Sequence, residues 1–118
     1  MLCPLGWHVP SNEEWTTLIN FIGGESIAGG KLKSTTDWFS PNIGATDEFG
    51  FNGLPGGDRY YQDGLFRYFG NSGNFWSSSV FEVDNISYSY DLQYQSAAIY
   101  HQGYSIRYGR SVRCLKDN

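Results

Sequence analysis

The chain has 118 residues, of which 40% are hydrophobic and 18% aromatic, and its formal net charge is −4. This length predicts one domain, and a charged fraction of 17% is too low for a disordered chain. The acidic net charge argues against a nucleic-acid partner. The sequence contains no run of 18 apolar residues, which is the length that would predict insertion into a membrane. Arg107, Arg110 and Arg113 cluster late in the chain, where we expect them to line a solvated face or to pair with nearby carboxylates.

The N-terminal third predicts an extended segment followed by two helices. Ser11 is typical of a helix N-cap, and Glu14 completes a capping box three residues later. Gly23-Gly24 predicts the end of this main helix, and a second, shorter helix is predicted over residues 26–33, although Gly29-Gly30 weakens it. The apolar stripe of the main helix comprises Trp15, Leu18, Ile19 and Ile22.

The middle of the chain predicts a long loop followed by a hairpin. Residues 34–57 carry turn signals every few positions, and Asp63-Gly64 lies between two aromatic runs, which is a hairpin signal. We expect four aromatic side chains to anchor the loop to the body of the domain: Trp38, Phe39, Phe49 and Phe51.

The last third predicts short antiparallel strands. The segment ISYSYDLQYQ alternates, with Tyr88, Tyr90 and Leu92 on one face and Ser87, Ser89 and Asp91 on the other. Residues 96–117 predict one or two further strands, and in the last of these strands Val112 and Cys114 share a face. A helix first and antiparallel strands later make an α+β pattern.

Two cysteines, Cys3 and Cys114, lie close to the two ends of the chain. A disulfide between them would place the first and last segments side by side, and it requires an oxidising compartment. Closing so long a loop stabilises a fold by about 4–5 kcal/mol in the chain-entropy model. Two buried, unpaired thiols are the alternative, and a zinc site with His8 and His101 is a third, although its spacings match no usual zinc finger.

Five segments stand out in order along the chain: CPLGWHVPSNEEWTTLINFIGG, GGKLKSTTDW, GFNGLPGGDR, GNFWSSS and SVRCLKD. They resemble the Fibrobacter succinogenes major paralogous domain, a family of exported and surface-associated bacterial proteins, and the resemblance covers residues 2–117. Members of that family usually carry further residues before the first segment. The resemblance therefore implies a domain excised from a longer surface protein, with an extracellular or cell-surface location and with any signal or anchor outside this sequence.

Three of these regions, HVPSNEEW, GNFWSSS and GRSVRCLKD, are also similar, more distantly, to segments of the formylglycine-generating, sulfatase-modifying domains. Those domains have the C-type lectin-like fold in its broad sense, in which adjacent termini support long interior loops that form a ligand face. The resemblance implies this fold for residues 1–118: one main N-terminal helix, a short second helix, a small twisted antiparallel sheet and long loops.

The residues do not predict an enzyme. The formylglycine-generating enzymes need two cysteines close together near the C-terminal end, where this chain has only Cys114. The run Ser77-Ser78-Ser79 lacks a nucleophile elbow. The carboxylates that could serve glycoside hydrolysis fall at turns or beside each other in the sequence: Asp47, Glu48, Asp58, Asp63, Glu82 and Asp84.

No metal site is predicted, and calcium is the one cofactor that the resemblance makes plausible. C-type lectin-like folds often hold calcium, and the long loop offers four oxygen ligands. These candidate ligands are Asp37, Asp47, Asn52 and Asp58, but the chain contains no D-x-D-x-D-G calcium loop.

The segment from Ser87 to Tyr108 combines Tyr with Ser, Gln and His, which is the composition of adaptable binding surfaces. Ordinary sheet packing is the alternative, because Tyr also favours strands, and we expect Tyr88 and Tyr90 to lie in the core. We predict that a ligand contacts six residues of this segment: Tyr94, Gln95, Tyr100, His101, Gln102 and Tyr104.

The predicted function is a non-enzymatic extracellular module that binds a glycan or a protein through this Tyr- and Ser-rich face. One alternative is a structural or assembly module of a bacterial surface protein without a ligand of its own. A second is a variable receptor-binding domain diversified by a retroelement, because the same segment aligns with the variable stretch of lectin-fold proteins of that kind.

Overall fold

The computed structural model describes residues 1–81, 83 and 85–118. Over these residues the chain forms two helices, α1 (Asn12–Phe21) and α2 (Glu25–Leu32), and seven strands. The strands are β1 (Trp7–His8), β2 (Asp58–Arg59), β3 (Phe66–Arg67), β4 (Ser72–Val80), β5 (Ile86–Gln93), β6 (Ile99–Ser105) and β7 (Leu115–Lys116). This content confirms the predicted α+β class.

The described strands form three antiparallel sheets. β1 pairs with β7, β2 pairs with β3, and the largest sheet has the order β4–β5–β6. The β2–β3 pair confirms the hairpin predicted around Asp63-Gly64. In β5, Tyr90 and Leu92 are buried on the helix side, while Ser89 and Asp91 lie on the other face, so the predicted alternation is also confirmed.

The hydrophobic core lies between the β4–β5–β6 sheet and the two helices. Trp15 of α1 stacks on Tyr90 with 4.9 Å between the ring centroids, and the ring of Phe75 lies 6.2 Å from that of Trp15. Because each aromatic side chain buries a large area, a few rings form most of this core. Tyr88 is half-buried and lies outside this cluster, so the expectation that it belongs to the core is wrong; its ring stacks on Phe81 at 4.2 Å instead. The remaining buried members are Ile19, Ile22, Ala28, Leu32, Leu92 and Ile99.

Helix α1 begins with the predicted capping box. Ser11 Oγ accepts a hydrogen bond from the backbone N–H of Glu14 at 3.2 Å, and the Glu14 carboxylate accepts one from the backbone N–H of Ser11 at 3.1 Å. Each side chain thus satisfies a backbone donor that the first turn leaves unpaired, which stabilises a helix by about 1 kcal/mol. Gly23 and Gly24 both have positive φ and end the helix, as predicted.

Helix α2 contains two glycines because loops approach its backbone closely. A Cβ atom at Gly29 would lie 2.0 Å from the carbonyl oxygen of Ala98, and one at Gly30 would lie 2.3 Å from that of Gly44. The two residues lower helix propensity, as the sequence indicates, but they let α2 pack directly against the loops before β6 and after Pro41.

The long loop over residues 34–57 is attached to the core by two of its four aromatic side chains. Trp38 and Phe51 pack against the buried cluster, and Trp38 Nε1 donates a hydrogen bond to the carbonyl oxygen of Gly53 at 3.0 Å. Phe39 and Phe49 are exposed and stay outside the core. Each still contacts a ring of another element, since Phe39 meets Tyr94 edge-on and Phe49 packs on Phe21 of α1. All four side chains therefore attach the loop to the rest of the domain, as predicted.

The two ends of the chain lie side by side. β1 pairs with β7 in the register Trp7–Lys116 and His8–Leu115, and a disulfide joins Cys3 to Cys114. The disulfide confirms the predicted bridge and excludes the free-thiol and zinc alternatives.

The predicted position of the last strand is wrong. Residues 112 and 114 precede β7, because the backbone of Ser111 is bonded to β4 instead, and the strand begins only at Leu115.

The disulfide indicates an oxidising, non-cytoplasmic compartment. In the part of the chain that the structure describes, no helix is long and apolar enough to cross a bilayer.

Candidate ligand-binding cleft

The six side chains that the sequence singles out do not form one surface. On β6, Tyr100, Gln102 and Tyr104 alternate with His101, so they lie on the face of the sheet away from the helices. His101 lies on the helix side, where its ring stacks on Tyr90 at 5.3 Å and its Nε2 is 2.9 Å from a carboxylate oxygen of Glu25.

Tyr94 and Gln95 belong to the turn that connects β5 with β6. Gln95 is exposed, and its amide donates a hydrogen bond of 2.7 Å to the hydroxyl of Tyr94. The half-buried ring of Tyr94 meets the ring of Phe39 edge-on at 6.1 Å. Ligand contact by the six residues stays a prediction, and of the six, Tyr104 lines a pronounced cleft.

This cleft lies between the polar face of the β4–β5–β6 sheet and the β2–β3 hairpin, and its volume is about 400 Å³. Each of the five strands from β2 to β6 contributes at least one residue to the wall of the cleft. The lining residues are Asp58, Arg67, Tyr68, Asn71, Ser72, Asn74, Asp91, Gln93, Tyr104, Tyr108 and Arg110.

Two aspartates and two arginines form a chain of ion pairs in the wall of the cleft. Asp58 accepts hydrogen bonds from Arg67 Nε at 3.2 Å and Nη2 at 3.3 Å, and it also pairs with Arg110 Nη2 at 3.4 Å. Arg110 Nη1 then donates to Asp91 Oδ1 at 3.1 Å and to Ser89 Oγ at 3.0 Å. The four charges cancel, so the cleft as a whole is close to neutral.

Three of these four charged groups are almost fully buried. The exposed fraction is 5% for Asp58, 5% for Asp91 and 4% for the side chain of Arg110. Burial raises the pKa of the Asp91 carboxyl, and Arg110, Ser89 and Tyr104 act in the opposite direction. Buried ions are costly unless they are paired and hydrogen-bonded, which explains why each aspartate contacts an arginine.

Arg110 is fixed in place by backbone bonds on both sides of it. Gly109 and Arg59 exchange two backbone hydrogen bonds, of 2.8 and 3.0 Å, which join the segment to β2. The backbone of Ser111 bonds to Asn74 at 2.9 Å and to Trp76 at 3.0 Å, which joins it to β4. The guanidinium is thereby aimed at the sheet, and its Nε, which is buried, has no hydrogen-bond partner among the described residues.

Tyrosine rings cover the two guanidinium groups. Arg110 lies over the ring of Tyr104, with 3.8 Å from Cζ to the ring centroid. Arg67 lies over Tyr60 at 4.4 Å and over Tyr68 at 5.0 Å. Such cation–π contacts hold the arginine planes in fixed orientations at the edge of the cleft.

Several groups keep hydrogen-bonding capacity at the open side of the cleft. Gln93 is exposed and Asn71 is half-buried, and each amide offers both donors and an acceptor. Tyr68, which is 53% exposed, adds an amphipathic ring at the rim. The cleft therefore combines a wall of paired charges, with no net charge, with adaptable polar groups and an accessible aromatic ring.

Sequence reasoning finds this site only in part. It places Asp91 on the polar face of β5, expects the late arginines to pair with carboxylates, and selects Tyr104. It misses Asp58, Arg67 and Arg110 as one cluster, because Arg110 and Asp58 are 52 residues apart in sequence. The available signal was the row of small polar side chains opposite the core face of β5, which indicates a solvated or ligand-facing sheet surface.

The candidate calcium ligands do not come together. Asp58 is held by the two arginines, Asp47 accepts a hydrogen bond from the backbone N–H of Asn52 at 2.8 Å, and Asp37 accepts one from Thr36. Over the residues that the structure describes, no three His, Cys, Asp or Glu side chains are placed to hold a metal ion. Of the carboxylates considered for hydrolysis, Glu82 and Asp84 lie outside the described residues.

A second cavity, of about 310 Å³, opens beside the disulfide. Its walls are mostly apolar and include Trp15, Leu18, Phe51 and Leu115, with Glu14 and Arg113 among its polar residues. It lacks the convergent polar groups of the cleft, so it offers little with which to select a ligand.

Comparison with known proteins gives one match. No curated protein and no solved structure is similar to this chain at a significant level. The sequence model of the Fibrobacter succinogenes major domain matches residues 1–116, which is nearly the whole chain. This protein therefore belongs to the Fibrobacter succinogenes major domain family.

Proposed function

We propose that this chain is a non-enzymatic binding module that acts outside the cell and holds a neutral glycan in the cleft between the β2–β3 hairpin and the β4–β5–β6 sheet. The observation that carries the proposal is the chain of paired charges Arg67–Asp58–Arg110–Asp91 in the wall of an open cleft. A buried ionic network of this kind is costly as a stability device, and it provides a rigid array of hydrogen-bonding groups.

The charge balance favours a neutral ligand. A phosphate or nucleic-acid ligand requires an excess of basic groups, whereas here each arginine is already paired with a carboxylate. Sugar hydroxyls both donate and accept hydrogen bonds, which matches the amides of Asn71 and Gln93 and the hydroxyl of Tyr68 among the lining residues.

The shape favours a glycan over a protein ligand. A cleft of about 400 Å³ accommodates one or two sugar rings, while protein interfaces usually need a broad patch with an apolar centre. The ring of Tyr68 at the rim can lie against the C–H face of a sugar, as amphipathic aromatic side chains do in many binding sites.

The state of the two carboxylates supports binding without catalysis. Hydrolysis of a glycosidic bond needs one carboxyl group that donates a proton and one that attacks or activates water. Asp58 and Asp91 share Arg110, are buried, and have their oxygen atoms occupied by donors. They are therefore placed to fix the arginines in the wall of the cleft, while the amides of Asn71 and Gln93 at its open side contact the ligand.

The C-type lectin-like fold and display at the cell surface are part of this proposal. The adjacent ends of the chain, the disulfide between them and the long loop on one helix-and-sheet body support that fold. The disulfide also supports a location outside the cytoplasm.

The test is a glycan array with the folded, oxidised protein, followed by calorimetry on the strongest neutral binder. Gln93→Ala removes an exposed amide from the wall of the cleft, and we expect about a tenfold loss of affinity, which corresponds to one or two hydrogen bonds. Gln62→Ala is the matched control, because this exposed glutamine lies in the turn between β2 and β3 and outside the lining of the cleft.

The control variant should bind as tightly as the wild-type protein. Absence of binding to every glycan on the array, or equal affinity of the Gln93→Ala and wild-type proteins, would contradict the proposal. Circular dichroism of each variant establishes that the fold is retained.

A further inference from the structure

The hairpin and the long loop together expose aromatic rings beside the cleft. Tyr68 lines the cleft, Phe69 is 72% exposed, and Phe39 is 54% exposed although it belongs to a loop with ordered backbone bonds. We call the four rings of Tyr68, Phe69, Phe39 and Tyr94 the aromatic strip. Phe39 and Tyr94 are in contact, and large exposed apolar side chains such as those of Phe39 and Phe69 are typical of a contact surface when they are grouped.

Backbone bonds fix the position of the strip relative to the cleft. The backbone N–H of Phe39 donates to the carbonyl oxygen of Gly70 at 2.9 Å, and that of Tyr94 donates to the carbonyl oxygen of Asn71 at 3.0 Å. Asn71 is itself a wall residue of the cleft. The strip therefore starts inside the cleft at Tyr68 and continues outward past Gly70 and Asn71.

Gly70 is what allows the ring of Phe39 to lie against this turn. A Cβ atom at position 70 would be 2.4 Å from Phe39 Cε1, and Gly70 has a φ of +82°. The Phe39 ring then meets the Tyr94 ring edge-on at 6.1 Å. The rings of Phe39 and Tyr94 are thus held together beside the turn that follows Tyr68 and Phe69.

We infer that the aromatic strip is an extension of the binding site that takes the further sugar units of a neutral oligosaccharide. The inference rests on the proposed function, because the strip begins in the wall of the proposed sugar cleft. The rings offer flat apolar faces without charge, and a neutral chain of sugar rings leaving the cleft past Asn71 would lie on them.

The test measures how affinity depends on the length of the sugar. The probes are neutral glucose, galactose and mannose oligosaccharides of one to four units, titrated into the oxidised protein by calorimetry. For the wild-type protein we expect affinity to rise about tenfold or more between one unit and four. In Phe39→Ala and in Phe69→Ala, affinity for the single sugar should stay unchanged, and the gain with length should fall about three- to tenfold.

Phe21→Ala is the matched control, because Phe21 is an exposed phenylalanine at the end of α1 that packs on Phe49 and lies outside the strip. It should keep the full length dependence. Phe39→Leu should retain part of it, since a smaller apolar side chain still covers the turn.

The outcomes separate the two proposals. If binding is lost in Gln93→Ala but does not depend on sugar length, the role of the aromatic strip is contradicted and the proposed sugar site in the cleft is not. Failure of every sugar at every length overturns both. Substitutions of Phe39 and Phe69 that change self-association in sedimentation experiments, without changing sugar affinity, overturn the strip in favour of a protein-contact surface.

Discussion

Lys33 is a fully buried lysine that pairs with no carboxylate of the described residues. Its Nζ donates hydrogen bonds to the carbonyl oxygens of Ile43, Gln93 and Ser96, at 2.8, 2.9 and 3.0 Å. Burial lowers the pKa of the Lys33 amine to about 8. One side chain thus ties the long loop to Gln93, the last residue of β5 at the edge of the cleft, and to Ser96 in the connection that follows.

Replacing Lys33 by methionine removes one donor from each of these three carbonyl oxygens, and among the described residues that of Gln93 keeps a further donor, the backbone N–H of Ser96 at 3.4 Å. We expect Lys33→Met to lower the free energy of unfolding by about 3 kcal/mol, measured by urea denaturation. Lys31→Met is the matched control, because Lys31 forms a surface ion pair with Glu48 at 3.4 Å, and such pairs contribute about 1 kcal/mol or less. Equal effects of the two substitutions would show that Lys33 does not hold the loop.

Arg110 neutralises two buried carboxylates, so its removal should be severe. We expect Arg110→Met to lower the free energy of unfolding by about 3–5 kcal/mol, because Asp58 and Asp91 lose their shared partner. Arg107→Met, at an exposed position in the same segment, should change it by less than about 0.5 kcal/mol. A loss below 1 kcal/mol for Arg110→Met would mean that the ionic network is looser than the structure indicates.

At the scale of elements, His8 connects β1, the start of α1 and β7. Its Nδ1 contacts a carboxylate oxygen of Asp117, and its Nε2 lies 2.9 Å from a carboxylate oxygen of Glu14, which also caps α1. The hydrogen bond with Asp117, and next that with Glu14, raises the pKa of the His8 imidazole. The two carboxylates therefore stabilise the protonated ring.

The contribution of His8 to stability should depend on pH. Because the pKa is higher in the folded than in the unfolded chain, the stabilisation is fully present below about pH 6.5 and is lost as pH rises through the folded-state pKa. The difference in free energy of unfolding between wild type and His8→Gln should be larger at pH 6 than at pH 8.5. Asp117→Asn should weaken this dependence, and an equal difference at both pH values would contradict the role of the imidazolium.

Local signals were sufficient to predict several elements. The two residues of the capping box, Ser11 and Glu14, are three positions apart, and the alternation of β5 runs through consecutive residues. In both cases the pattern lies within a short stretch of sequence, which is enough to predict the local structure. The position of β7 could not be predicted in this way, because it depends on pairing with β1 more than a hundred residues away. The exposure of Phe39 likewise depends on the distant turn at Gly70.

The residues of the candidate site, too, could be predicted only in part from local sequence patterns. Tyr104 and the polar face of β5 follow from strand periodicity, whereas Asp58 and Arg67 reach the site only through the placement of the β2–β3 hairpin. His101, selected from composition, lies on the opposite face of the sheet from Tyr104, because a side chain one residue along a strand points the other way.

At the scale of the whole molecule, the disulfide closes a loop that contains almost the entire chain, since its two cysteines are separated by 111 residues. The double substitution Cys3→Ser with Cys114→Ser should lower the free energy of unfolding by about 4–5 kcal/mol in the chain-entropy model. Urea denaturation with and without a reductant measures this, and only the wild-type protein should respond to the reductant. A loss of less than about 1 kcal/mol would mean that the pairing of β1 with β7 alone holds the ends together.

The two helices and part of the long loop pack on one face of the β4–β5–β6 sheet, where the hydrophobic core lies. The other face carries the polar side chains that line the cleft beside the β2–β3 hairpin. This division is the reason to place ligand binding at the cleft and not at the sheet edge that carries His101.

An amide NMR titration with the neutral glycan that binds most tightly on the array tests this placement most directly. The account predicts the largest chemical-shift changes at the side-chain amides of Asn71 and Gln93 and at the backbone of Tyr104, with saturation at one equivalent of ligand. Changes confined to the residues around His101 and Glu25, or to the cavity beside the disulfide, would contradict it.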